Sequence, residues 1–269
     1  TYTEASYVSS EVNLLAPHII DTPTVMASQT GDVNNEGNYL FVVNGTGTMS
    51  VFITNRAEKV MAWTKWTTDG VILDVAVVED VIYLYVNRIL GSNQRYYVEA
   101  IDSGHFTDAS IKKNQSSSAS VTGFGHLAGR DVRVRADHIV QPNVTVASNG
   151  GFTLGKASTT VEAGLNFNPT IKTMPASVTL QSGPISVKKR RISRVSAQLY
   201  KSTGVLINGK AVPSKSLGVN ALNNQPEEFT GIKTLPMLGY SKTAQVTITQ
   251  EDPLPLTLLG LTVELQVTG

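Results

Sequence analysis

The side chains from which chemistry could start are four histidines, 21 carboxylates and two tryptophans; there is no cysteine. Without cysteine the chain forms no disulfide, no thiolate metal site and no cysteine nucleophile. A histidine metal site needs ligands that return to one face, as in H-x-x-x-H. His18, His105, His126 and His138 lack that spacing and read as polar or core histidines. A glycosidase needs two acids converging on one bond. Asp69, Asp74, Glu79 and Asp80 cluster along the sequence, but Asp69-Gly70 and Glu79-Asp80 are turn dipeptides whose acids face water. No G-x-S-x-G elbow is present. Gly123, Gly125 and Gly129 miss the dinucleotide-binding spacing and read as turn glycines. The expectation is a protein with no catalytic residue, no bound metal and no cofactor.

Two clusters are suited to recognition instead. Trp63 and Trp66 bracket Lys65, and Tyr83, Tyr85, Tyr96 and Tyr97 follow. Such rings either stack on a sugar or anchor a core, and on a strand residues three apart face opposite sides. The second cluster is basic: Lys188, Lys189, Arg190, Arg191 and Arg194 lie in KKRRISR. No acidic residue occurs between Ala163 and Pro226, whereas the first half carries Asp69, Asp74, Glu79, Asp80, Glu99, Asp102 and Asp108. The basic strip fits a channel wall facing DNA phosphates. It also fits an interface with the acidic half of a neighbour, and most simply a solvated edge strand where cations discourage wrong pairing.

The elements that must carry these residues are strands. Charged residues are 16% of the chain, below the usual quarter, and Val, Thr, Ser, Asn and Gly take their place. That composition favours pleated strands and tight turns. The runs NYLFVVN (38–44) and TMSVFIT (48–54) flank Gly45-Thr46-Gly47 as a hairpin. Further strands are expected over 57–67, 71–78, 81–88 and 95–102, a meander with propeller-blade spacing. Runs such as FVV and VAVV predict strands covered on both faces, hence neighbouring blades or copies.

KKNQSSSAS has no apolar side chain except one Ala and predicts a linker over 112–120, between a meander of residues 1–111 and a second domain of residues 121–269. In the second domain strands are expected over 131–135, 141–147, 159–164, 177–180, 195–201, 204–208, 244–249 and 261–267, as a β-sandwich or open barrel. Lys188 to Lys201 is ambiguous between strand and helix. The fold class is thus all-β. The longest apolar run, near Leu254 to Leu261, is interrupted by Pro255, Thr257 and Gly260 and falls short of the roughly 20 residues a spanning helix takes, so no membrane insertion is expected. The net charge of +1 steers the chain to neither nucleic acid nor an anionic membrane.

The blade NYLFVVNGTGTMSVFITNRAEKVMAWTKWTTDG, followed by VAVVEDVIYLYVNR and RYYVEAID, resembles the tail nozzle proteins of podoviruses, also called tail tubular protein B. Downstream, GHLAGRDVRVRAD (125–137) is similar to the family's HL-G-x-x-V-x-V-x-A-D-G pattern, with His138 in place of its Gly. GLNFNP (164–169) stands where GLPY is usual, and RRISRVSAQLYKSTG and DPLPLTLLGLTVELQV resemble later segments, all in the family's order. The likeness runs from about Asn38 to the end. Members of the family are several hundred residues long, so this chain, which begins Thr1-Tyr2-Thr3, is expected to be the C-terminal portion of such a protein. The resemblance implies a virion tail protein forming a homohexameric ring. Its partners would be a tail adaptor and fibres or spikes, with transient, non-specific passage of DNA. A carbohydrate-binding host-recognition module is the alternative.

Overall fold

The computed structural model describes residues 11–14, 16–31, 37–55, 57–90, 93–176, 179–180, 183–184, 189–213 and 227–267. The fold is all-β: antiparallel sheets, two short 3-10 turns, and no closed barrel among the described residues. The chain divides into two units, Thr1–Gly104 and His105–Gly269.

In the first unit, β1 (Pro23–Gln29), β2 (Asn38–Asn44), β3 (Met49–Asn55) and β4 (Val60–Trp66) form a four-stranded meander in chain order. A second meander follows: β5 (Val71–Val78), β6 (Val81–Leu90) and β7 (Asn93–Ala100). Period-2 alternation directs Phe41, Val43, Met49 and Val51 of the first sheet onto Ile72, Val75 and Val86 of the second, and these residues make one core. The β5–β6 turn places Glu79 and Asp80 at φ 48° and 66°, the left-handed pair of a tight hairpin. Gly47, at φ 80°, could not carry a side chain, because a Cβ there would lie 2.6 Å from Val71 Cγ1.

From Phe41 onward the strand β2 is buried on both faces. Val42 points away from the core yet is 2% exposed. The segment before β1 crosses that outer face, where the Ser50 hydroxyl and the Asn44 amide donate to Ile19 O at 2.5 and 3.2 Å. The β5–β7 sheet differs: its inner face is in the core and its outer face is open.

The second unit begins with β8 (Asp108–Val121), β9 (Asp131–Ala136), β10 (Ile139–Thr145) and β11 (Phe152–Leu165), in the sheet order β10-β9-β11-β8. Its core joins Val132, Val134, Ala136, Val161 and Ala163 to Phe124 and Leu127. Residues 112–120, expected as a linker, are instead the body of β8, paired with β11 from Phe152↔Val121 to Leu165↔Asp108. An edge strand is held by its backbone ladder, so a run of Ser, Lys and Asn can form one without an apolar stripe.

The remaining elements are β12 (Thr170–Lys172), β13 (Thr179–Leu180), β14 (Gly183–Pro184), β15 (Arg190–Ser202), β16 (Val205–Ile207), β17 (Lys210–Ala211), β18 (Phe229–Pro236), β19 (Tyr240–Ser241), β20 (Thr247–Gln250) and β21 (Leu258–Val267). One sheet runs β12-β20-β16-β17; in another, β15 lies between β18 and β21. Ile192, Val195, Ala197 and Leu199 of β15 share a core with Val205, Ile207 and Ile248 of the facing sheet, the arrangement of a β-sandwich. The ambiguous stretch 188–201 is therefore a strand from Arg190 onward; Lys188 and residues 177–178 of the predicted strand 177–180 lie outside the described residues.

Candidate functional site

Period 2 separates the two tryptophans. Trp66 turns inward against Phe41, with ring centroids 6.1 Å apart. Trp63 turns outward, 4.8 Å from the Phe52 ring, and its indole N–H donates to Val12 O at 3.1 Å. They form no common platform, and Trp63 is partly covered and hydrogen-bonded within the chain.

The tyrosines of β6 and β7 gather instead. Tyr85 faces Val98 and Asp74, Tyr83 faces Ala100 and Ala76, and Tyr96 faces Asn87, all on the outer side of the sheet. The Tyr85 and Tyr96 rings are 5.7 Å apart and 19° from parallel. Around them Val78, Ile89 and Val98 are 55%, 63% and 72% exposed. Tyr97 belongs to the opposite, core-side face, across from Val86. Asp74, whose carboxylate accepts its neighbour Val75 N–H at 2.7 Å, is the one acid that the β5–β6 register sets beside Tyr85.

The basic run is split by strand geometry. Ser193 is an extra residue opposite β21, where the register passes from Ile192↔Leu265 to Arg194↔Glu264. Arg190 is buried, and its guanidinium donates to Lys242 O, from Nε at 2.7 Å and also from Nη2, and from Nη1 to Ala176 O. This cation staples loop carbonyls. Arg191 is half-buried and Lys189 exposed. Arg194 is exposed, 4.0 Å from the Glu264 carboxylate, and Lys188 lies outside the described residues. The strip therefore presents less positive charge than its sequence suggests.

One buried ion pair and one grouping of covered charges escaped the sequence reading. Arg88 binds Glu99 beside the first core. In the second unit Glu162 of β11 lies opposite Arg135 of β9 and is 2% exposed. The Glu162 carboxylate accepts Phe106 N–H at 2.6 Å and the Thr107 hydroxyl at 3.2 Å. The Arg135 guanidinium lies 4.7 Å over the Phe106 ring and donates to His138 Nδ1 at 3.1 Å. Burial pushes the Arg135 guanidinium below its ordinary value, while the Glu162 and Glu228 carboxylates oppose that shift. Arg88 follows the inward count from Val86. Arg135 and Glu162 lie on the face opposite Val134 and Ala163, so finding them would have required knowing that this second face is covered as well. The grouping pins the backbone at 106–107.

The histidines are dispersed. His126 contacts Ala109 O through Nε2 at 2.8 Å, and His105 contacts the Ser110 hydroxyl through Nδ1. Among the described residues no three of His, Asp and Glu are placed to hold one metal ion. No described helix is long and apolar enough to cross a membrane. The described cleft beside Leu199, Val205 and Phe229 has about 10 Å³ of space for a water-sized guest, too little for a substrate.

The most extensive candidate for function is thus a surface, the outer face of β5–β7. No protein-family model and no curated protein matches the chain.

Proposed function

We propose that this chain is a structural subunit of the distal tail tube, or nozzle, of a short-tailed bacteriophage. Copies would close into a hexameric ring under a tail adaptor, conduct DNA and internal proteins, and offer surfaces to fibres or spikes. The observation that carries the reading is the open outer face of β5–β7, where Val78, Tyr85, Ile89, Tyr96 and Val98 are all exposed. A contiguous apolar patch of this kind marks a contact surface, and tyrosines are enriched where such a surface is buried by a partner. The ordered resemblance of segments from Asn38 onward to the nozzle family supplies the partner: another copy. A net charge of +1 suits a conduit that must release DNA, since every added phosphate contact would tighten binding.

Electron microscopy of the purified chain tests the reading. Sixfold rings are expected; isolated subunits at every concentration would contradict it.

A second reading is favoured by the near-parallel Tyr85 and Tyr96 rings, with the Asn87 amide on the same face. Sugars stack on such rings, so this face would bind host surface glycans. A glycan array comparing the chain with Tyr85→Ala and Tyr96→Ala separates the two: binding lost in both variants favours the second reading, and no binding by the unaltered chain removes it.

A further inference from the structure

We propose that Asn208-Gly209, the turn joining β16 to β17, is a deamidation site, where Asn208 becomes isoaspartate or aspartate with water as the co-reactant. The site is independent of the assembly reading above.

The chemistry needs an asparagine followed by a residue whose backbone nitrogen can reach the side-chain carbonyl carbon. Glycine serves best, because without a Cβ it neither blocks that approach nor restricts the backbone. The Gly209 nitrogen gives up its proton and bonds to Asn208 Cγ. The Cγ–Nδ2 bond breaks, and Nδ2 leaves as ammonia. Water then opens the cyclic imide. Cleavage at the Asn208 main-chain carbonyl gives isoaspartate, and cleavage at Cγ gives aspartate. Either product places a new negative charge on the turn.

Three Asn-Gly pairs occur in the chain, and the fold treats them differently. Asn44 is 2% exposed, and the Gly45 N–H donates to Thr22 O at 2.8 Å. Asn149 is exposed, but Gly150 is buried, and its N–H donates to Ala147 O at 2.8 Å. Gly150 is also packed so closely that a Cβ would lie 2.5 Å from Gly125 N. Asn208 and Gly209 are both exposed, with nothing within 4 Å of the Gly209 Cβ position. Among the described residues no acceptor engages the Gly209 N–H. The nucleophile is thus available at this pair and tied down at the other two.

The side-chain carbonyl does not separate the three. Each Oδ1 accepts a backbone N–H, from Asp21 at Asn44, from Gly151 at Asn149 and from Thr247 at Asn208. What differs further is the cost of opening the turn. The β16–β17 ladder has two residue pairs, Leu206↔Ala211 and Ile207↔Lys210, and one flanking bond from Val212 N–H to Val205 O. Strand β17 stands last in the sheet order β12-β20-β16-β17. So short a ladder opens locally at little cost, and an opened turn lets the nitrogen reach Cγ.

Peptide mapping by mass spectrometry tests the site on the full chain, held folded at mildly alkaline pH. Trypsin releases Ser202–Lys210, in which Asn208 is the one asparagine. Asn208 should convert at least about 10-fold faster than Asn44 and Asn149, because local structure protects those two. In denaturant the three rates should converge. A smaller preference for Asn208 in the folded chain, or one that survives unfolding, would overturn the assignment. The measurement uses the unaltered sequence, so no variant has to fold.

Discussion

Arg88 and Glu99 meet at the edge of the first core through two charge-assisted hydrogen bonds, Nε to Oε1 at 2.6 Å and Nη2 to Oε2 at 2.7 Å. Arg88 Nη1 also donates to Asp69 O at 2.8 Å, so the same guanidinium ties β6 to the turn before β5. Arg88 is 2% exposed, and removing its partner leaves a covered cation. Glu99→Ala should cost about 3 kcal/mol, the low end for breaking a buried pair, because Glu99 keeps some solvent contact. Urea unfolding measures it. The double variant Arg88→Met, Glu99→Leu should recover most of that loss.

Asp137 sets a pH dependence. Its carboxylate accepts the Thr160 N–H at 2.9 Å and the Thr159 hydroxyl at 2.9 Å. The Thr160 backbone bond chiefly holds its pKa below the ordinary 3.8, aided by Thr159 and Ser158 against partial desolvation. A carboxyl depressed in the folded state stabilises above its unfolded value, and that contribution is lost as pH falls through the folded value. Asp137→Asn should therefore be less stable than wild type near neutral pH, with the gap closing as pH drops below about 4. Melting temperatures across that range check it; a gap that stays constant contradicts the assignment.

Two glycine substitutions separate close packing from open surface. A Cβ on Gly164 would lie 2.5 Å from Asp108 O and 2.6 Å from Thr107 Oγ1, where the chain entering β8 crosses β11. Gly164→Ala should destabilise by about 1–3 kcal/mol through overpacking. Gly155, on the same strand with nothing within 4 Å of its Cβ position, should tolerate Ala within about 0.5 kcal/mol. Chemical denaturation of the pair gives the comparison.

The basic strip yields opposite outcomes for neighbouring residues. Arg190→Lys removes part of a fixed fork that serves two loop carbonyls, and should cost about 1–3 kcal/mol. Arg194→Ala breaks an exposed pair and should change stability by less than about 1 kcal/mol. Thermal unfolding of both distinguishes a structural cation from a surface one.

Much of the fold was legible in the residues. The hairpin of β2 and β3 follows from two β-rich runs around Gly45-Thr46-Gly47, and β5, β6 and β7 from apolar runs bounded by Glu79-Asp80 and Gly91-Ser92. Strand β8 was not legible, because its ladder with β11 is a long-range backbone partnership that leaves no apolar stripe in a polar run. Strand β1 was masked by Pro23. For the candidate site, the residue types were visible but their directions were not. An extra residue at Ser193 alters the facing of the basic run and Arg190 turns inward. Three of the four tyrosines fell on one face because Tyr83 and Tyr85 are two apart, and because hairpin pairing sets Tyr96 opposite Asn87, which turns Tyr97 to the core side. The first relation is in the sequence, and the second requires the register.

The central claim is that the open β5–β7 face is buried by another copy. The most direct measurement is the solution mass of the full chain beside Val98→Lys, which puts a charge at the most exposed apolar position of that face without touching the core. The account predicts a closed oligomer for the unaltered chain and folded subunits for Val98→Lys. A Val98→Lys protein that assembles as fully as wild type would contradict it.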